Sequence, residues 1–234
     1  VVSDWSSDVC SSDLIWWVLF HWKKIKVGHA GTLDPLASGL LIICTGKWTK
    51  KITDLQLQEK EYTGTFTLGA TRPSFDMETE INETFDLSGL QDEQIYEAVK
   101  KLTGVIEQTP PIYFAVKVDG KRAYKSAREG EEIVIKSKQV EVREFEITNI
   151  KLPELEFRIV CSKGTYIRSL ANDLGKLLGV GAYLSSLCRT RIGTYELKDS
   201  MDYEGFREWV NGQTTESNSF WMVKVLLHKN IPQF

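Results

Sequence analysis

The chain lacks any C-x-x-C pair; its four cysteines, Cys10, Cys44, Cys161 and Cys188, are scattered along 234 residues. That scatter argues against a zinc ribbon or a disulfide framework and makes a reducing cytoplasm the expected location. The three histidines, His21, His29 and His228, are too dispersed for a metal cluster. No apolar run approaches the ~20 residues that cross a bilayer. The run near the start, 15–20, follows Asp4, Asp8 and Asp13, the wrong charge for a signal peptide. G-x-S-x-G and H-E-x-x-H are both missing. Gly39 and Gly46-Lys47 enclose six residues and no Ser or Thr follows, so there is no Walker loop. Asn82-Glu83-Thr84 matches a glycosylation sequon, but nothing else suggests secretion. With no metal or cofactor motif, chemistry must come from plain side chains.

What is present is a charge pattern and one unusual loop. The net charge is −3, yet it is segregated. Residues 23–51 hold six lysines against Asp34 alone, and residues 158–191 hold six cations against Asp173 alone. Residues 54–108 carry twelve acids and four bases. Such a chain can present a basic face to nucleic acid despite an acidic total, or it can hold solvated charge on unrelated faces. The loop is Val27-Gly-His-Ala-Gly-Thr-Leu-Asp-Pro-Leu-Ala-Ser-Gly39, where one carboxylate, Asp34, stands among glycines and apolar residues. It reads either as an acid presented to a ligand or as an Asp-Pro turn leading into a buried element over 36–44.

The 42% hydrophobic content supports a real core. Residues 1–14 repeat Ser-Ser-Asp with no hydrophobic period, and 1–22 as a whole is an atypical segment, foreign or disordered. Tyr62, Gly64, Phe66 and Leu68 alternate with threonines as a half-buried strand. Residues 69–87 form a polar, acidic connection. Ser88 with Gln91 predicts a capping box for a helix carrying Ile95, Val99 and Leu102, ending near Gly104. Two strands are expected at 140–150 and 155–161, a turn at 162–164, and a helical stripe of Leu170, Leu174, Leu177 and Leu178 ending at Gly179. Residues 189–195 return as a strand. Strands and helices without regular β-α-β spacing favour an α+β fold, with no linker and no repeat.

Three further segments accompany the Asp34 loop: Glu61-Tyr62; Pro110-Pro111 with Ala115-Val116-Lys117 and Gly120; and Lys163-Gly-Thr-Tyr-Ile-Arg168. From about residue 24 to 195 the chain resembles the TruB type of tRNA pseudouridine synthase. Four ordered motifs carry the likeness; each alone is weak. The resemblance implies a single pseudouridine-synthase-like domain over 23–200, with a mixed, mostly antiparallel sheet flanked by helices and a basic RNA-binding cleft. It implies isomerisation of the T-loop uridine at position 55 of tRNA, by a monomer in the cytoplasm. It makes Asp34 the catalytic aspartate, Arg168 its cationic partner, and Tyr62 the ring that stacks on uracil. His29 would wedge the T loop open, Tyr166 would line the pocket, and Leu187 would form an apolar wall. Asp76 would contact RNA. Residues 110–130 would close over the RNA as an insertion, with Lys117, Lys121 and Arg122 meeting phosphates.

The chain also departs from the family. Nothing in residues 1–22 matches its Lys-Pro-x-Gly-x-Thr-Ser segment, and Phe114 stands where a small Ser is usual. Residues 201–234 form a short tail rather than a full RNA-binding accessory domain. Two other readings accompany the enzyme: a tRNA-binding or tRNA-folding protein impaired in catalysis by the missing N-terminal motif, and a carboxylate-dependent hydrolase. The lack of a second paired carboxylate argues against a glycosidase.

Overall fold

A computed structural model describes residues 25–110, 136–212 and 222–227, with backbone alone for 117–118 and 121–122. They fall into two compact units, one reaching to Tyr62 and resuming at Leu187, the other Thr63–Ser186. The chain leaves the first unit inside one strand and returns inside another, so no linker marks the boundary. The expectations for 1–22, for Phe114 and for most of 110–130 lie outside the described residues.

The first unit is built on β2 (Ala37–Thr45), a nine-residue strand buried at every position but Ser38. A strand buried on both faces shows no alternation, which is why 36–44 reads equally as helix or strand in the sequence. β1 (Val27–His29) pairs antiparallel with its far end, Val27 opposite Thr45. A 3-10 turn at Gly46–Lys51 and α1 (Ile52–Leu57) follow. β11 (Ala182–Ile192) runs parallel to the start of β2, with Leu187, Cys188 and Arg189 opposite Ala37, Ser38 and Gly39. β12 (Tyr195–Glu196) folds back on β11. α4 (Tyr203–Asn211) is capped by Asp202, whose carboxylate accepts from the Gly205 amide at 2.8 Å. β13 (Met222–Leu227) pairs antiparallel with β2. Ala30, Leu40, Ile42, Cys44, Leu55 and Ile192 form the core here. Burial pushes the Cys44 thiol up to about 11, so it stays protonated and inert.

The second unit carries the meander. β3 (Lys60–Leu68) buries Phe66 and Leu68 as the alternation predicts. β10 (Glu154–Cys161) pairs antiparallel with β9 (Lys138–Lys151), and β9 with β6 (Gly104–Gln108). Phe66 stacks on Phe157 at 4.1 Å between ring centres and meets Phe145 edge-on. The expected connection over 69–87 holds a small ladder of its own, β4 (Ala70–Thr71) with β5 (Glu83–Thr84). Another pairs β7 (Lys117–Val118) with β8 (Lys121–Arg122). α2 (Asp92–Lys101) buries Ile95, Ala98 and Val99. Its cap is Gln91, boxed with Gln94, rather than Ser88. The Ser88 hydroxyl is taken by Asp86 at 2.6 Å, which leaves the next polar residue to start the helix. α3 (Ile167–Leu178) ends at Gly179 as expected, but Leu177 is 47% exposed and lies off its buried stripe. The return strand begins at Ala182, seven residues before the sequence suggests. The mixed, mostly antiparallel sheet with helices is the α+β class expected.

Candidate active site

In the first unit the Asp34 loop closes a turn through its own backbone. The Ala37 amide donates to the Asp34 carbonyl at 2.9 Å, so Asp34-Pro35-Leu36-Ala37 is a closed turn feeding β2. The Asp-Pro turn is therefore real, and it leaves Asp34 half-buried at its head. Gly31 (φ 98°) takes a left-handed conformation that a side chain would strain. Gly39 (φ 110°) lies so close to the Arg189 backbone that a β-carbon there would collide with it.

His29, on β1, is half-buried. Burial lowers its pKa; a backbone hydrogen bond at Gly31 opposes this, and the Arg189 charge adds to the lowering. The ring is thus held neutral near pH 7, suited to stacking. Leu187 is buried in the β11 ladder, and its carbonyl accepts from the Ser38 hydroxyl at 3.3 Å. Tyr62 is half-buried on β3. Beside it, Glu61 accepts from Thr190 at 2.9 Å, and Arg191 meets Glu59 at 2.8 Å. These ties across β3 and β11 set the strand that presents Tyr62.

The second unit holds Asp76, Tyr166 and Arg168. Arg168 and Asp76 are both buried, and the guanidinium donates to Asp76 Oδ2 at 3.0 Å. The other carboxylate oxygen accepts from the Glu78 amide at 3.0 Å. Asp76, expected as an RNA contact, is thus 2% exposed with both oxygens engaged. The loop that delivers it is tightly tied: Ser74 and Thr79 exchange side-chain and backbone hydrogen bonds, and Arg72 donates to the Thr79 carbonyl. Phe75, just before Asp76, has φ 63°. A left-handed non-glycine residue costs on the order of 1–3 kcal/mol and persists only where its surroundings fix it. Here the Leu184 amide holds the Phe75 carbonyl at 2.9 Å.

Tyr166 is fixed by a residue that sequence reasoning missed. Gln108, fully buried at the end of β6, donates to the Tyr166 carbonyl at 3.0 Å and accepts from its amide at 2.7 Å. Ser169 adds a bond to the Thr109 carbonyl at 2.9 Å, so β6 is sewn to the start of α3. The Lys138 ammonium lies 4.4 Å from the Tyr166 ring centre, and burial lowers its pKa. Nothing in the sequence marks Gln108 or Lys138, because their partners lie far along the chain. Lys117, Lys121 and Arg122 sit on the β7–β8 hairpin. The expected pairing of Arg168 with Asp34 links residues of different units and stands as a proposal.

Within the basic run over 158–191, Lys163 and Lys176 are exposed, and the other four cations are buried or paired with carboxylates. Arg168 and Arg189 are buried, Arg158 meets Glu144 and Glu146, and Arg191 meets Glu59 and Glu61. Among the described residues there is no group of three or more His, Cys, Asp or Glu placed to hold a metal ion, and no helix is long and apolar enough to cross a membrane.

Family models match the chain over most of its length. The model of the TruB family pseudouridylate synthase N-terminal domain matches residues 19–167, and that of the tRNA pseudouridylate synthase B C-terminal domain matches residues 168–228. The tRNA pseudouridine synthase B of Flavobacterium johnsoniae is 58% identical over 186 residues, covering 80% of this chain and 81% of its own. That of Phocaeicola vulgatus is 53% identical over 194 residues, covering 83% of each. Among solved structures, a Cbf5-Nop10-Gar1 complex contains a chain with TM-score 0.61 and 29% identity over 81% of this chain. A chain of an H/ACA RNP bound to a substrate RNA containing 2′-deoxyuridine gives TM-score 0.58 and 26% identity. This chain spans about half the length of those two, 47% and 46%.

Proposed function

The chain belongs to the TruB family of pseudouridylate synthases, and from that premise we propose that it isomerises uridine to pseudouridine in tRNA. The observation that carries this reading is the continuous family match over 19–228, with curated relatives above 50% identity. In the finer reading, the substrate is the T-loop uridine at position 55 and the protein acts as a cytoplasmic monomer without metal or cofactor.

The reaction breaks the bond from ribose C1′ to uracil N1, turns the base, and joins C1′ to C5. The C5 proton leaves and N1 gains one, so the product is an isomer. Asp34 is the catalytic carboxylate, either attacking as a nucleophile or assisting cleavage and proton handling. Both roles need it ionised in a closed pocket, where burial alone would raise its pKa. Arg168 is the cation that holds it ionised, and Asp76 orients Arg168. Tyr62 stacks on the extruded uracil, Tyr166 and Leu187 line the pocket, and neutral His29 stacks in the opened T loop. Lys117, Lys121 and Arg122 are assigned to the RNA phosphates, and in the first unit Lys47 and Lys50 are exposed cations of the right charge for the same task. The binding-only alternative is not favoured by relatives this close that are named as synthases.

The test is turnover of unmodified T-loop RNA, read as a pseudouridine-specific carbodiimide adduct. Asp34→Asn is expected to lower turnover by about 10³-fold or more while tRNA still binds. Retained turnover removes Asp34 from the chemistry. A wild-type chain that binds tRNA without turnover sinks the enzymatic reading.

A further inference from the structure

We infer that Arg189 is a positioning residue for this reaction: its guanidinium clamps both ends of the loop that presents the Asp34 carboxylate. The inference rests on the reading of Asp34 as the catalytic acid.

Arg189 is 2% exposed, in the middle of β11. Nε donates to the Leu40 carbonyl at 2.9 Å, one terminal nitrogen to the Gly31 carbonyl at 3.1 Å, and the other to the Thr32 carbonyl at 3.4 Å. Among the described residues, all its hydrogen bonds go to main-chain carbonyls. A buried cation is ordinarily paired with a carboxylate. One committed to three carbonyls supplies geometry: charge-assisted donors in a fixed planar fork.

The carbonyls it chooses bracket the site. Gly31 and Thr32 lie just before Asp34, and Leu40 lies just after the Asp34–Ala37 turn. The parallel ladder between β11 and β2 ends at Gly39, and the antiparallel ladder with β1 starts at Ile43. The Arg189 side chain bonds Leu40 in the interval between them. Its own backbone is fixed there, because Gly39 is packed directly against it. The clamp therefore acts on where the Asp34 turn sits, without touching the reacting atoms. Lysine retains the charge but offers one mobile point donor, which cannot span three fixed carbonyls.

The test compares Arg189→Lys, Arg189→Gln, Asp34→Asn and, as a control, Arg158→Lys. Each is assayed for single-turnover rate on T-loop RNA, tRNA dissociation constant and melting temperature. For Arg189→Lys the rate is expected to fall about 100-fold, the scale of a 1 Å misplacement, while tRNA affinity stays within about twofold in a protein still folded at the assay temperature. Arg189→Gln is expected to fall at least as far, and Arg158→Lys to react normally. A wild-type rate in Arg189→Lys overturns the inference. So does a rate loss matched by an equal loss of tRNA affinity. Failure of both Arg189 variants to fold also overturns it, since the residue is then structural. Asp34→Asn inactive beside fully active Arg189→Lys defeats this inference alone; active Asp34→Asn defeats the reading beneath it.

Discussion

Arg168 and Arg189 are both buried cations in the candidate machinery, yet they are satisfied in opposite ways. Arg168, in the second unit, meets the Asp76 carboxylate at 3.0 Å, so its charge is locally matched. Arg189, in the first, meets the carbonyls of Gly31, Thr32 and Leu40. The first arrangement couples a side chain to a strained loop through Phe75. The second couples a side chain to backbone, and its charge, which meets no carboxylate among the described residues, is felt at His29. One ties a cation to a carboxylate; the other ties a cation to the backbone of the Asp34 loop.

The largest expected effect tests the matched pair. Asp76→Ala removes the carboxylate from a fully desolvated guanidinium, and breaking such a pair costs about 3–5 kcal/mol. Urea unfolding of Asp76→Ala and Asp76→Asn measures it, with Asn keeping the shape and losing the charge. A loss under about 1 kcal/mol in Asp76→Ala, the range of exposed pairs, would erase the contrast between the two arginines.

Next comes the anchor of α3. Gln108→Ala removes two hydrogen bonds to the Tyr166 peptide, made at 3.0 and 2.7 Å, and leaves a part-buried amide and carbonyl without them. The amide's lost bond costs about 1–3 kcal/mol, whereas the carbonyl keeps the Leu170 amide as a donor at 3.2 Å. The expected result is a loss of about 2 kcal/mol in urea, with turnover reduced because Tyr166 is no longer held. An unchanged midpoint would mean that Ser169 and Thr109 alone fix the helix start.

Much of this was legible in the residues. Phe66 and Leu68 alternate, and Leu155, Phe157, Ile159 and Cys161 share a face, because one side of each strand meets the core. The sequence points to Ser88 as the α2 cap and the structure uses Gln91, because two polar residues compete for one role and Asp86 decides between them. The early half of β11 was missed because Ala182–Leu184 are all buried and show no alternation. The site divides the same way. Asp34, Tyr62 and Arg168 lie in compact motifs with unusual local composition. Gln108 and Arg189 do not, since Gln108 finds Tyr166 58 residues away and Arg189 finds Leu40 149 residues away. A lone Gln or Arg carries no local trace of such a partner.

The smallest expected effect probes the charge of Arg189. The fold favours the neutral imidazole of His29, mainly through burial and further through Arg189, so its folded pKa lies below the ordinary 6.5. Below pH 6.5 the unfolded chain takes up a proton that the folded chain resists. His29 therefore contributes stability that is fully present above pH 6.5 and is lost as pH falls through the lower folded value. His29→Gln should remove that slope, seen as urea midpoints that change less between pH 7.5 and pH 5.5, on the order of the linkage expected for one histidine. Arg189→Lys keeps the cation and should keep the slope, even though it loses the clamp. If Arg189→Lys flattened the slope as much as His29→Gln, the field at His29 would depend on the geometry of the guanidinium as well as its charge, and shaping the loop and charging it would be one function rather than two.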